Sequence, residues 1–286
     1  MNAKITIAEL VNAKSQGRKF TAVSCYDYLT ARFAEQAGID MAIVGDSAAQ
    51  LVLGFDSTLP ATMDYMVVIT AAVRRGAPNL CLVADMPFLS YQVGLAEAVK
   101  NAGRFAAEAG AQIIKIEVTS THLNVIKAVS DAGMAVMAHI GLRPQNIGKI
   151  GRFKAEGTTA EMASELFELA KQVVDAGAVS LLLEGVATEI AEFITKNIQV
   201  PVVGCGSGPG CDGQVLVAPD ILGMTDGPKP KFSKSFGRAG QETLEAFKKY
   251  ASDVTAGKFP DDEHCYHMKQ GQLDSLRQIL NADFGD

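Results

Sequence analysis

The sequence predicts an α/β fold, a (β/α)8 TIM barrel in one domain with an N-terminal helix and a C-terminal helical tail, and three observations carry that prediction. One local pattern recurs five times: a helical stretch, a glycine, a short apolar run, then a single polar residue. The copies are EQAGIDMAIVGD (Gly38 to Asp46), RRGAPNLCLVAD (Gly76 to Asp85), EAGAQIIKIE (Gly110 to Glu117), DAGMAVMAH (Gly133 to His139) and DAGAVSLLLE (Gly177 to Glu184). The apolar runs are nearly unbroken, as parallel strands covered on both faces must be. Three further strand-length runs, at residues 21–25, 200–203 and 214–217, bring the number to eight. No Pro- or Ser-rich linker separates them, which favours a closed barrel over an open doubly wound sheet.

Taken in order, Thr6 followed by Ala8, Glu9 and Leu10 reads as the start of a short amphipathic helix. Residues 21–25 supply the first strand. Helical periodicity then runs through Ala31, Phe33, Ala34 and Ala37 to Gly38, through Ala98, Phe105 and Ala109 to Gly110, and through Leu166, Leu169, Val173 and Val174 to Gly177. Each glycine of the repeat is expected to end its helix as a left-handed residue, the conformation that costs least without a Cβ. The segment 140–159 is the longest without apolar periodicity, and its place after a polar strand end predicts a lid over the site. GCGSGPG (Gly204 to Gly210) lacks nucleotide-fingerprint spacing and a following helix, and reads equally as backbone that leaves room for a large flat ligand. The single domain spans 1–286, with the barrel at about 20–258 and the tail at 259–286. That tail holds DDEHCYHMKQG and a helix-like stretch at 273–280, suited to docking on a neighbouring subunit. Its H-x-x-H, His264 and His267, lies in unpatterned sequence, and no metal is expected there.

Composition limits the function classes. At 286 residues, 48% hydrophobic and 20% charged, the chain can bury a sizeable core. Lys plus Arg number 26 against 32 Asp plus Glu, a net charge of −6 without a basic stripe, so no nucleic-acid partner is expected. Five cysteines, far apart and never in a C-x-x-C pair, argue for a reducing compartment with no zinc site or disulfide framework. With no apolar core behind the basic residues of the start, and no uncharged apolar run of about 18, the chain reads as cytoplasmic, neither exported nor membrane-spanning.

The chemistry of such a barrel sits at the C-terminal ends of its strands, and here those ends read Asp46, Asp85, Glu117, His139 and Glu184. Any one of them could be a helix cap or a solvated acid; five in register point to a site. Asp46, Asp85 and Glu117 close consecutive strands, and converging carboxylates without neutralisation raise one another's pKa. A divalent cation removes that conflict. Ligation by oxygen alone, without Cys or paired His, points to Mg2+ or a similar hard ion with positions open to a bidentate 2-oxo acid. The alternative is that one acid pairs with Lys115 or an arginine. Lys115 stands two residues before Glu117, on the same side of its strand. It is placed to bind a substrate carboxylate, form a Schiff base or neutralise an acid, and the neighbouring metal disfavours the Schiff base. Ser47 offers a hydroxyl and a backbone N–H to a carboxylate oxygen, and His139 reads as a hydrogen-bonding ligand. Glu184, behind Leu181, Leu182 and Leu183, is expected to be desolvated toward a neutral pKa, as a carboxylate general base requires.

Together these residues resemble the ketopantoate hydroxymethyltransferase family over roughly residues 20–267. The marks are CYDY (25–28), VGDS (44–47), DSTLP (56–60), AAVRRGAP (71–78), ADMPF (84–88), KIE (115–117), HIGLRPQ (139–145), LLLE (181–184), DGQVLV (212–217) and PKF (230–232). The resemblance implies a Mg2+-dependent barrel, one ion per subunit, assembled as a homo-oligomer, typically a decamer built from pentamers. It also implies the reaction, in which 5,10-methylenetetrahydrofolate, 3-methyl-2-oxobutanoate and water give 2-dehydropantoate and tetrahydrofolate in pantothenate biosynthesis. By that resemblance Asp46, Asp85 and Glu117 fall on metal positions and Glu184 on the proton acceptor, while Asp46, Ser47, Asp85, Lys115 and His139 fall among the substrate contacts. The chain departs from the family pattern at Cys25 (usually alanine), at Val118 and Thr119 (glycines after KIE), and at Cys205 and Ser207 in a segment that commonly reads G-I-G-A-G. None of these removes a catalytic group. A barrel lyase or mutase of the isocitrate lyase type shares the Mg2+ and the enolate, but its KKCGH-like nucleophile loop is missing from this sequence. A non-catalytic paralogue would have lost an acid from the mouth, and all are present.

Overall fold

A computed structural model describes residues 4–151, 154–225, 227 and 229–281, and among these residues eight parallel strands close into a barrel in chain order. They are β1 (Phe20–Ser24), β2 (Met41–Val44), β3 (Cys81–Asp85), β4 (Ile113–Glu117), β5 (Ala135–Gly141), β6 (Ala178–Glu184), β7 (Val202–Cys205) and β8 (Gly213–Val217). β8 pairs back onto β1, from Phe20↔Gly213 to Ser24↔Val217, which closes the ring. The predicted strands are those observed, within a residue or two at their ends. Helices such as Met63–Gly76, Leu95–Ala109 and Ala160–Asp175 connect them, and their apolar stripes bury Val73, Phe105 and Val173 against the outer faces of the strands.

Alternation along each strand sorts the residues between those helices and the barrel interior. Facing inward are Phe20, Ala22, Met41, Ile43, Cys81, Val83, Ile113, Met137, Leu182, Val203 and Val215, one apolar cluster. The predicted N-terminal helix, Ile7–Ser15, closes the floor of the barrel, where Leu10 and Ala13 join the same cluster. Burying a leucine side chain contributes about 1.5–3 kcal/mol. Two residues beyond the apolar layer the inward positions turn polar: Val83 is followed by Asp85, Ile113 by Lys115 and Glu117, Met137 by His139, and Leu182 by Glu184. The polar ring at the mouth is therefore a consequence of strand parity.

Gly38, Gly110, Gly133 and Gly177 take the left-handed conformation expected of them, with φ of +79°, +68°, +88° and +110°. Gly76 does not: it is the last residue of the helix Met63–Gly76, and a Cβ there would lie 2.2 Å from the Tyr28 carbonyl oxygen. Glycine is demanded at that point by the close approach of two helices, not by a dihedral angle. Phe33, read as part of a core stripe, is 66% exposed, and the helix Tyr28–Gln36 buries Ala31 instead. The segment 140–159, expected as a lid, is regular in its first part, and its Leu142, Pro144, Ile147, Lys154 and Ala155 line the cavity at the barrel mouth. β5 continues to Gly141, Pro144–Asn146 forms a 3-10 turn, and Ile147–Ile150 is a short helix. Residues 152 and 153 of that segment lie outside the described residues.

The chain divides into two compact units, Met1–Gly237, which carries the barrel, and Arg238–Asp286. In the second unit the helices Ala239–Thr255 and Gln272–Leu280 lie on either side, in sequence, of the 3-10 turn Asp262–His264. His264 pairs there with Asp261, and His267 Nε2 lies 3.1 Å from Asp262 Oδ1. Among the described residues no helix is long and apolar enough to cross a membrane.

Candidate active site

Asp46, Ser47, Asp85, Lys115, Glu117, His139 and Glu184 all line one cavity of about 1020 Å³ at the C-terminal end of the barrel. A shallower depression of about 400 Å³, beside Glu189 and Phe193, contains none of them. Asp85, Glu117 and Glu184 are the last residues of β3, β4 and β6. Asp46 lies two residues past β2 and His139 two residues before the end of β5, so neither ends its strand as expected, yet both reach the cavity. Register completes the assembly: Asp85 is paired with Lys115 across β3 and β4, and Glu117 with His139 across β4 and β5.

Lys115 is buried with its Nζ 2.7 Å from Asp85 Oδ1, close in charge though without an aligned hydrogen bond. Burial works against its charge, but Asp85, Asp46 and Glu117 more than offset this and hold Lys115 above the usual lysine value. For the acids the balance is reversed: Lys115 lowers Asp46 and Glu117 but is outweighed. Burial and the neighbouring Asp85 push Asp46 up to about 8, and burial and Asp46 push Glu117 well above the carboxylate range. His139 is pushed down by burial and by Lys115, so its imidazole is neutral near pH 7. Its Nδ1 lies 3.3 Å from Lys115 Nζ, which assigns the ring proton to Nε2. That Nε2 is 3.2 Å from Glu184 Oε2, off the line of a well-formed hydrogen bond. Glu184 is not sealed as the sequence suggested: Leu181 and Leu183 face the outer helices, and its own side chain is 20% exposed at the mouth.

Several residues in or beside the cavity were not singled out from the sequence. Tyr26 places its hydroxyl 2.8 Å from that of Ser47. Thr58 is buried at the cavity wall with its hydroxyl unpartnered. Gln145 and Tyr91 are buried; Gln145 is hydrogen-bonded to the Asp46 and Glu117 carboxylates and Tyr91 to the Gln145 amide, and Pro144 beside Gln145 in HIGLRPQ was a signal for the turn that aims it inward. At Gly206 the room expected for a flat ligand is filled by the chain itself, since the Phe232 ring would come within 2.3 Å of a Cβ there.

The donor set fits a hard divalent cation. Three buried carboxylates face one ammonium, and burial together with the neighbouring acids holds Asp46 and Glu117 up despite Lys115, a balance that a further positive charge would ease. Among the described residues no three such groups are closed into ligating geometry. Lys115 stands against Asp85 and Gln145 against one oxygen of Asp46, so ligation calls for Asp85 to turn from Lys115, while Asp46 keeps lone pairs that Gln145 does not use.

A parallel barrel with buried acids, a lysine and a histidine at its C-terminal strand ends has the build of a barrel enzyme. In fold the chain is similar to phosphonopyruvate hydrolase, solved as a complex with oxalate and Mg++ (TM-score 0.59, 16% identity, covering 96% of this chain and 97% of that one). It is similar also to 2,3-dimethylmalate lyase, a PEP mutase/isocitrate lyase superfamily member (TM-score 0.58, 18% identity, 96% and 99%). The sequence is more specific. Residues 4–262 match the ketopantoate hydroxymethyltransferase family. The 3-methyl-2-oxobutanoate hydroxymethyltransferase of Clostridium novyi (strain NT) is 44% identical over 273 residues, 96% of this chain and 99% of that one. Its counterpart in Koribacter versatilis (strain Ellin345) is 42% identical over 279 residues, 98% and 95%. The chain belongs to the ketopantoate hydroxymethyltransferase family and is an enzyme.

Proposed function

We propose that this enzyme transfers a hydroxymethyl group from 5,10-methylenetetrahydrofolate to 3-methyl-2-oxobutanoate in a Mg2+-dependent reaction, giving 2-dehydropantoate and tetrahydrofolate for pantothenate biosynthesis. Family membership supports the reaction, and the charge balance at the mouth carries the mechanism: Asp46, Asp85 and Glu117 converge on one ammonium. Mg2+ held by those three carboxylates would supply a Lewis acid for the ketone and carboxylate oxygens of the oxo acid, which acidifies its C3–H. Lys115 adds a fixed positive charge on the same side of the cavity. Ser47, its hydroxyl held by Tyr26, offers a donor to the substrate carboxylate. Glu184, at the partly exposed rim, takes the C3 proton, and neutral His139 beside it orients the carboxylate. Water supplies the hydroxyl oxygen: hydrolysis breaks both C–N bonds of the methylene bridge and leaves tetrahydrofolate and formaldehyde. The carbon nucleophile attacks that formaldehyde carbon, and the alkoxide formed takes a proton to give the hydroxymethyl group. A cavity of about 1020 Å³ lies at this site. Free thiols at Cys25, Cys81, Cys205, Cys211 and Cys265 support a reducing, cytoplasmic setting, and the family supports a homo-oligomer.

Proton NMR of 3-methyl-2-oxobutanoate in D2O tests the reading with Mg2+ or EDTA, for the wild type and Glu184→Gln. The expected result is Mg2+-dependent loss of the C3–H signal that the substitution abolishes. Absence of exchange from a folded, Mg2+-saturated protein would refute the mechanism.

A further inference from the structure

We propose that Gln145 is a positioning residue of the acid cluster: it presets Asp46 and Glu117 for the divalent cation and ties both to the segment that follows β5. The inference rests on the cation reading above. Gln145 is buried in the turn Pro144–Asn146 and meets five groups. Its Nε2 donates to Asp46 Oδ2 and to the Met86 carbonyl, each at 2.9 Å. Its Oε1 accepts from the Tyr91 hydroxyl at 2.8 Å and from Gln92 Nε2 at 3.3 Å. Its backbone N–H donates to the Glu117 carboxylate, at 3.1 Å from Oε2.

The orientation of the amide is determined by these partners. Turning it over would set Oε1 against a carboxylate and a carbonyl, two acceptors, and Nε2 against the donors of Tyr91 and Gln92. One side chain thus fixes the rotamer of Asp46, and the same residue's backbone fixes Glu117, although the two acids belong to different parts of the sequence. Because an amide is neutral, it orients these oxygens without discharging them, whereas Lys115 does discharge. Each carboxylate oxygen keeps lone pairs for a cation. Tyr91 stiffens the arrangement from behind, since its hydroxyl also lies 3.0 Å from the Glu117 carbonyl oxygen. Partners of this kind, which touch ligands and not the metal, change metal affinity by about 10–100-fold.

The test is calorimetric titration of the full-length protein with Mg2+, for the wild type, Gln145→Met and Tyr91→Phe. Methionine keeps the length and packing of Gln145 and removes the amide; Tyr91→Phe removes one hydroxyl and serves should the first variant fold poorly. We expect Mg2+ binding about tenfold weaker in Gln145→Met and a smaller weakening in Tyr91→Phe. In the exchange assay the Mg2+ concentration for half-saturation should rise in step, while the rate at saturating Mg2+ returns to the wild-type value. A lowered plateau with unchanged half-saturation would assign Gln145 a merely structural role and overturn the proposal. Wild-type affinity in both variants would overturn it too, leaving the cation reading intact. A wild type that binds no Mg2+ would overturn the cation reading and this inference with it.

Discussion

Replacing Gly141 by alanine perturbs Glu184 while leaving every polar group of the site in the chain. Gly141 ends β5 at φ +92°, and a Cβ there would lie 2.4 Å from the Glu184 carbonyl oxygen and 2.6 Å from Val186 Cγ2. Real Cβ contacts stay beyond 3.0 Å, so the end of β6 must retreat by roughly 0.6 Å, the gap between those distances. That movement stretches the 2.8 Å hydrogen bond from the Leu142 N–H to the same oxygen and carries the Glu184 side chain away from His139. The left-handed backbone adds about 1–2 kcal/mol for alanine, and overpacking typically adds about 1–3 kcal/mol. A misplacement of about 1 Å costs about 10²-fold in rate, so a shift of this size should slow C3–H exchange by about tenfold. Affinity for the oxo acid should change little, because Ser47 follows β2 and Lys115 lies on β4, away from the clash. Thermal unfolding, the D2O exchange rate and oxo-acid binding measure the three effects. Unchanged stability would refute the clash, and an unchanged exchange rate in a destabilised protein would refute the need for Glu184 at its present position.

Gly76 and Gly103 form a contrasting pair. Gly76→Ala drives a Cβ to 2.2 Å from the Tyr28 carbonyl oxygen and should destabilise by about 1–3 kcal/mol; Gly103→Ala, in the helix Leu95–Ala109 with nothing within 4 Å, should stabilise by about 0.5–1 kcal/mol. Denaturant unfolding reads both, and equal effects would refute the packing argument. Asp46 supplies a pH prediction. Its carboxyl titrates at about 8 in the fold and at about 3.9 unfolded, so between those values the folded chain holds a proton that the unfolded chain has released. Stability of the metal-free protein therefore falls as pH rises through that window. A cation displaces the proton, so Mg2+ binding at pH 7 should release protons and tighten up to pH about 8, where the gain levels off. Calorimetry in buffers of different ionisation enthalpy measures the release, and none at pH 7 would refute the assignment.

What the sequence revealed was whatever obeys a short period. Five strands were legible because an apolar run after a glycine has few alternatives, three more because of their strand-length apolar runs, and Asp85 and Glu184 because each is the first polar residue after its run; Glu117 follows Lys115 at the same inward parity. Gln145 was illegible for the opposite reason. Its partners Glu117 and Asp46 are 28 and 99 residues away, and no local pattern marks a residue whose role is to join two distant strand ends. Gly76 looked like the other glycines of the repeat, yet its cause is a contact with Tyr28, which periodicity cannot express. Phe33 fitted a helical stripe and proved exposed, because small alanines, not the phenylalanine, let that helix approach the barrel.

The same parity bears on why the acids are better read as a functional cluster than as a structural ion-pair network. Buried ion pairs recover little of their desolvation cost, and apolar side chains at these positions would stabilise the barrel at least as well. Below them the inward positions are apolar and the helix Ile7–Ser15 seals the floor with Leu10 and Ala13. The cluster is thus desolvated from beneath and approachable from the mouth, where Glu184 reaches solvent. Lys115 offsets part of the negative charge from within the barrel wall, and the remainder faces the cavity. A positive ligand that entered there would meet carboxylates held in place by Gln145 and would offset the burial and mutual repulsion that hold Asp46 and Glu117 high. On the proposed reading, the instability of the cluster on its own is the source of a cation's binding energy at this end of the barrel.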